Sequence, residues 1–389
     1  MVYVCSLLMA TQAKIGGARR RPSACRMRDY RSRAAAGGPC RETDSKMNQS
    51  DLRYPWSKPP AAACLTTVAP GVHWLRMPLP YALDHINLWL LDDGDDGWCA
   101  VDTGFGLDEV RQSWQQLLAA EDARRLRRIV VTHFHPDHLG LADWLRTETG
   151  AELVMSHGEF VTGHAVWHGL PGHDPASMVA LYETHGLDPA RCDALRNRGN
   201  GYRRGVPSLP ADFARLFDGD ELDIGGRRWR ALVGHGHSPE HMALYCEQLG
   251  VLISGDMVLP RISTNVSVYA AAPHADPLAW FLESLRRIND LPADTLVLPS
   301  HGLPFHGLHA RVAQLEQHHR DRCEQLLAAC DRPRSAGELL HILFPRELDT
   351  HQVMFAMGEA IAHLNHLTHQ GTLSCTKDGD GRTRYIRTE

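Results

Sequence analysis

The chain has 389 residues, is 43% hydrophobic and 22% charged, and carries a formal net charge of −5. That length allows one large domain with a sizeable core and a smaller second one, and the near-balanced charge excludes a protein built overall to bind polyanions. No apolar run approaches the roughly 20 residues needed to cross a membrane, and ten scattered cysteines without a CxxC pair read as thiols in a reducing, cytoplasmic setting.

Residues 1–46, including "ARRRPSACRMRDYRSRAAAGG", show no helical or strand period and read as a disordered or non-native N-terminal extension, with an organelle transit peptide as the alternative. A first domain is expected over 47–308. "INLWLLDDGDDGWCAVDTG" predicts a hairpin around an Asp/Gly turn. "LDEVRQSWQQLLAAE" has helical spacing, "RRIVVTH" is a strand, "HLGLADWLRTETG" a helix and "AELVMS" a strand. Strands alternating with helices imply a layered α/β core. Residues 157–215 break the rhythm as a helical excursion, with "GNGYRRGVPSLPAD" as a loop, and form a lid or substrate wall. Strands return in "ELDIGGRRWRALVGHGH", "HMALYCE", "GVLISGD" and, after the helix "DPLAWFLESLRRIND", in "DTLVLPSHG". Over 309–389, three helices precede two strands around a Gly-rich turn, a winged-helix pattern; "SAGE" at Ser335–Glu338 is a capping-box signature.

The chemistry concentrates in "VVTHFHPDHLG", residues 130–140. His133, His135, Asp137 and His138 fall on a strand-to-helix turn. Residues two apart in extended chain project to one side, so His133 and His135 can address one metal while Asp137 and His138 face a second. Imidazole and carboxylate suit zinc and leave a coordination position for water. Further His and Asp residues sit at strand ends in "VGHGHSPEH", "ISGD" and "PSHG", where α/β enzymes build their sites.

With these motifs in order, the chain resembles the metallo-β-lactamase fold superfamily. The resemblance implies a four-layer αββα sandwich and two zinc ions per chain. It places the first ion on His133, His135 and His237, and the second on Asp137, His138 and His301, with Asp256 bridging. Asp102 in "VDTG" matches an acidic residue that orients a ligand; His235 and His241 become flanking positions. Glu240 and Ser300 stand where many members have glycine. From about Gly71 to Arg387 the element order is similar to the β-lactamase-like protein 2 group, which has a C-terminal winged helix.

The implied chemistry is hydrolysis by a hydroxide shared between the ions, with Asp137 and Asp256 as the catalytic carboxylates. No G-x-S-x-G elbow offers a serine nucleophile, and "GFGLDE" and "GNGYRRG" lack the context of a nucleotide loop. A small ester, thioester or lactone is the favoured substrate. Tyr202, Arg203 and Arg204 are candidates to bind an anionic conjugate, and Ser263, Thr264, Asn265 and Tyr269 to line a pocket. The alternatives are a single-strand RNA endonuclease and a mononuclear-iron persulfide dioxygenase. RNA is disfavoured because 310–389 holds ten Lys and Arg against eleven Asp and Glu, with a local excess only at Lys377, Arg382, Arg384 and Arg387. A homo-oligomer is compatible with the C-terminal helices, which read as packing or dimerisation elements.

Overall fold

A computed structural model describes residues 51–81, 83–94, 97–120 and 125–388. The expectation for 1–46 lies outside the described residues.

Two sheets face each other. The first runs in sequence order through β1 (Thr66–Ala69), β2 (Val72–Pro78), β3 (His85–Asp92), β4 (Gly97–Val101), β5 (Arg125–Val130), β6 (Glu152–Met155) and β7 (Ala214–Arg215). Its pairs are antiparallel up to β4 and parallel from there on. The parallel half is built by crossovers through α1 (Asp108–Leu118), then α2 (Pro136–Leu139) and α3 (Ala142–Thr149), and finally α4 (His157–His168), α5 (Pro175–Thr184), α6 (Pro189–Arg198) and α7 (Tyr202–Gly205). The second sheet comprises β8 (Glu221–Ile224), β9 (Arg227–Gly234), β10 (His241–Cys246), β11 (Val251–Gly255) and β12 (Leu296–Pro299), the last parallel to β11 after α8 (Pro277–Asn289).

Strand alternation explains the layering. Along β2, Val72 and Trp74 enter the core between the sheets, whereas Leu75 and Met77 enter the layer beneath α1 and α3. In β10, Met242 and Leu244 face the first sheet while Ala243 and Tyr245 face α8 and the C-terminal helices. Trp74 and Trp89 stack at 6.1 Å across the β2–β3 pair inside the sandwich. The result is a four-layer αββα sandwich.

The C-terminal module contains α9 (Leu308–Ala329), α10 (Ala336–Leu343), α11 (Thr350–His369) and the hairpin β13 (Leu373–Lys377)–β14 (Thr383–Arg387), consistent with a winged helix. The capping box at Ser335 and Glu338 forms in both directions, and Asp349 with Gln352 makes a second one. Asp-Pro steps open α5, α6 and α8, each aspartate accepting a backbone N–H of the first turn.

Two local expectations differ from the structure. The helix read over 138–150 is interrupted at Gly140–Leu141, because Thr103 takes over the ladder there. Its N–H and hydroxyl donate to the His138 carbonyl at 3.0 and 2.7 Å, and its hydroxyl oxygen accepts the Leu141 N–H at 3.1 Å. The loop at 199–212 contains the short helix α7.

Helix α11 lies against the segment that follows β11: the Val268 N–H donates to the Gly358 carbonyl at 3.2 Å. A Cβ on Gly358 would stand 2.7 Å from Ser267 Oγ and 2.8 Å from Ser267 Cβ. Gly358→Ala is therefore expected to destabilise the chain by about 1–3 kcal/mol through overpacking, read as a lower denaturation midpoint; an unchanged midpoint would contradict this close approach.

Candidate metal centre

Strand ends assemble the site. β4 delivers Asp102, β5 the 132–138 turn, β9 the loop carrying His237, β11 Asp256 and β12 His301. All seven candidate ligands come together. His133, His135 and His237 form one group and Asp137, His138 and His301 another; a third combination joins His133, His138 and Asp256. Within each group one ligand atom per residue lies within 4.8 Å of the others. Asp256 lies between the groups: Oδ2 is 3.6 Å from His237 Nε2, while Oδ1 is 3.6 Å from His138 Nε2 and 3.4 Å from His301 Nε2. Asp137 Oδ2 is 3.4 Å from His301 Nε2.

The imidazoles are oriented by what their other nitrogens touch. His237 Nδ1–H donates to the Asn265 carbonyl at 2.8 Å and His301 Nδ1–H to the His85 carbonyl at 2.9 Å. His138 Nδ1–H donates to Asp102 at 2.8 Å, and His133 Nδ1 lies 3.0 Å from the Thr132 hydroxyl. Since a carbonyl and a carboxylate can only accept, the contacts of His237, His301 and His138 put a hydrogen on Nδ1 and turn Nε2 inward. Asp102 is held by the Thr132 N–H at 2.8 Å and sits in the left-handed region at φ 65°, a strained geometry for a residue with a Cβ.

This donor set fits metal ions. His133 Nε2 stands 3.2 Å from His237 Nε2 and 2.9 Å from His135 Nδ1, a convergence of lone pairs that a cation relieves. His138 Nε2 and Asp256 Oδ1 are buried with no hydrogen-bond partner. Burial, reinforced by the neighbouring imidazoles, pushes His133 well below its usual range and His135 down to about 3, so both are neutral ligands at physiological pH. In the second group the balance reverses. Burial opposes charge on His138, but Asp102, Asp137 and Asp256 outweigh it and raise the ring to about 9. The negative field that holds a proton there also favours a divalent cation. The second group, Asp137, His138 and His301 with Asp256 beside it, is consistent with a second ion.

Other sequence candidates have different tasks. Tyr202 is buried and its hydroxyl donates to the Phe134 carbonyl at 2.5 Å; Arg203 donates to the Trp167 carbonyl and lies 4.3 Å over that ring. Tyr202 supports the fold and Arg203 is tied to Trp167, although Arg203 and Arg204 are both exposed. In the 263–265 stretch, Thr264 Oγ1–H donates to the Asp256 carbonyl at 2.6 Å and Asn265 serves His237. His241 is fully buried and its Nε2 accepts the Asp256 N–H at 3.1 Å.

The sequence reading missed Glu159 on α4. It is fully buried and accepts from Phe134 N–H at 2.9 Å, Glu240 N–H at 2.7 Å and the Ser238 hydroxyl at 2.6 Å. It thus ties the turn between His133 and His135 to the loop carrying His237.

The comparisons agree with this geometry. The family described as "Metallo-beta-lactamase superfamily" matches residues 82–301, more than half of the chain, and "Metallo-beta-lactamase-like, C-terminal domain" matches 323–388. The chain belongs to the metallo-β-lactamase superfamily and is a metal-dependent hydrolase with a dinuclear metal-binding site. A β-lactamase domain protein from Burkholderia ambifaria is 48% identical, with a TM-score of 0.81 over 87% of this chain and 99% of that one. A metallo-β-lactamase family protein from Thermus thermophilus is 33% identical, with a TM-score of 0.69 over 83% and 100%. A "probable metallo-hydrolase" from Bacillus subtilis is 26% identical over 81% of this chain and 97% of its own length. These findings support the superfamily with its C-terminal domain, and do not single out the β-lactamase-like protein 2 group.

Burial raises the Glu159 carboxyl to about 7 despite its three donors. Because the folded value lies above the unfolded one, folding takes up a proton between pH 4.5 and 7, and stability falls as pH rises through that window. Glu159→Gln removes this dependence but places an amide N–H₂ among donors, so it is expected to cost about 1–3 kcal/mol. Denaturation at pH 5 and pH 8 should show that cost shrinking at the higher pH.

Proposed function

We propose that the protein is a dinuclear zinc hydrolase acting on a small ester, thioester or lactone. The observation that carries the substrate reading is the placement of α11. In a winged helix that binds nucleic acid, the third helix lies free to enter a groove. Here most of α11, from Gln352 to Leu367, is buried against the metal domain and the other C-terminal helices. Of the basic residues on the wing, Arg384 pairs with Glu338 and Asp378, both at 2.7 Å. A buried helix and a partly neutralised wing support a small substrate over an RNA strand.

Domains of 47–308 and 309–389 are part of this reading; they share one apolar core, in which Leu278 and Phe281 of α8 join Leu315 of α9 and Ile361 of α11. No described helix is long and apolar enough to cross a membrane. The buried thiols of Cys99, Cys192, Cys246 and Cys330 support a cytoplasmic location.

His133, His135 and His237 would hold one ion, and Asp137, His138 and His301 the second, with Asp256 between them. Bound there, two zinc ions supply an activated water at neutral pH and polarise the acyl oxygen. The protein's part is to turn the ring nitrogens inward, to hold His133 and His135 neutral and to keep the carboxylates charged. Asp137 is lowered to about 2, its buried position outweighed by His138 and His301. Asp256 Oδ1, free of protein donors, is placed to accept a proton from the attacking water and pass it to the leaving group. Asp102 and Thr132 hold His138 and His133, while His241 and Thr264 hold the Asp256 backbone.

Purified protein should be assayed on an acyl-coenzyme A, an acylglutathione, a lactone and single-stranded RNA. Turnover of a thioester or lactone, abolished by chelation, restored by zinc and lowered by more than about a hundredfold in Asp256→Asn, is the expected result. Cleavage of RNA alone would overturn the substrate reading.

A further inference from the structure

Arg198 ends α6 and Arg204 lies in α7, and the Gly201 turn between them brings the two guanidinium groups together. From the point where a Cβ on Gly201 would stand, Arg204 Nη2 is 3.2 Å away, and Arg198 Nη2 and Nε are 3.8 and 3.9 Å away. Two cations thus flank a space that exists because residue 201 has no side chain. Nearby Arg196 is paired with Glu183 and Asp193. Arg198 and Arg204 have no such carboxylate among the described residues; the side-chain contact of Arg198 is the Met354 thioether, 3.8 Å from Nη1. Asp349, the acidic group whose field reaches Arg198, is engaged as the cap of α11, accepting the Gln352 N–H at 2.8 Å.

The segment that carries Arg204 adjoins the metal centre. Gly205, next to Arg204, abuts Pro136 between the ligands His135 and Asp137: a Cβ on Gly205 would be 2.6 Å from Pro136 Cβ and 2.4 Å from Phe105 Cε2. Phe105 meets Tyr81 edge-on at 5.6 Å, and Tyr81 stacks on His351 of α11 at 5.5 Å and 17°. Tyr81 lies in the fields of Arg198, Arg204 and Asp137, and His351 in those of both arginines. His351 Nδ1 is buried and has no hydrogen-bond partner. Like charges held together without a counter-ion, beside an unsatisfied polar nitrogen, are the features of a built anion site.

We infer that Arg198 and Arg204, with the Tyr81–His351 stack, form a subsite for an oxyanion that the substrate carries away from its scissile bond. The inference rests on the acyl-hydrolase reading and narrows it to acyl compounds with an anionic handle. A guanidinium binds carboxylate or phosphate through paired N–H donors, so the handle is the carboxylate of a dicarboxylic monothioester or the phosphate of a carrier tail. The excursion supplies the arginines and α11 supplies His351, which gives the C-terminal module a share in substrate selection.

Two measurements test this on the full-length protein as purified. Calorimetric titration with glutarate and with inorganic phosphate compares the native chain, Arg198→Ala/Arg204→Ala and Arg198→Lys/Arg204→Lys. The affinity for at least one anion should weaken tenfold or more in the alanine variant and less in the lysine variant; equal affinities in all three would overturn the subsite. Tighter glutarate binding identifies a carboxylate handle, and tighter phosphate binding a phosphate one. The second measurement is the ratio of kcat/KM for a glutaryl monothioester and for its neutral isostere. That ratio should fall at least tenfold in the alanine variant, and an unchanged ratio would count against the inference. If the native chain hydrolyses neither thioester, the acyl-hydrolase reading fails, while the titration still decides whether the anion subsite exists.

Discussion

Four buried histidines, with their Nε2 atoms turned towards one another and two carboxylates among them, set the terms for the rest of this structure. Removing such groups from water is unfavourable unless they are satisfied. Here the satisfaction is only partial within the protein. His133 and His237 face each other at 3.2 Å, and His138 Nε2 and Asp256 Oδ1 have no donor or acceptor of their own. Folding energy from the three apolar layers holds this crowd together, and cations complete it. The site is therefore a place where stability elsewhere is converted into a prepared binding geometry.

That geometry depends on supports drawn from distant parts of the chain. Asp102 is held at a strained φ so that one carboxylate orients His138 and caps the Thr132 backbone. Glu159 binds the first metal turn to the His237 loop, and His241 and Thr264 fasten Asp256 through its backbone. The C-terminal module belongs to the same system. Its helix α11 packs on the segment 259–270 that supports both Asp256 and His237, and it brings His351 against Tyr81 near the metal turn.

How much of this could be read from sequence follows from distance along the chain. His133, His135, Asp137 and His138 lie within six residues, so their pattern announced itself; strand ends pointed to further His and Asp residues, and the family resemblance selected His237, Asp256 and His301 among them. The β3–β4 hairpin and the capping box of α10 were equally local, whereas alternation along the chain gave only a layered α/β core and the family resemblance implied the four-layer sandwich. Glu159 was not legible, because its partners Phe134, Ser238 and Glu240 lie on two remote loops. Nor was the sorting of "GYRRG": composition marks Tyr202, Arg203 and Arg204 alike, but packing assigns Tyr202 to the Phe134 carbonyl and Arg203 to Trp167. The partner of Arg204 is Arg198, one helix earlier, brought close by a turn whose geometry no local periodicity encodes.

The central claim is that two separate ligand groups, joined by Asp256, each hold an ion. Elemental analysis of the protein as purified, alongside His237→Ala and His301→Ala, tests it most directly. Two divalent ions per chain in the native protein, and one fewer in each variant, would follow from the geometry. A single ion in the native protein, retained in His301→Ala, would contradict the account.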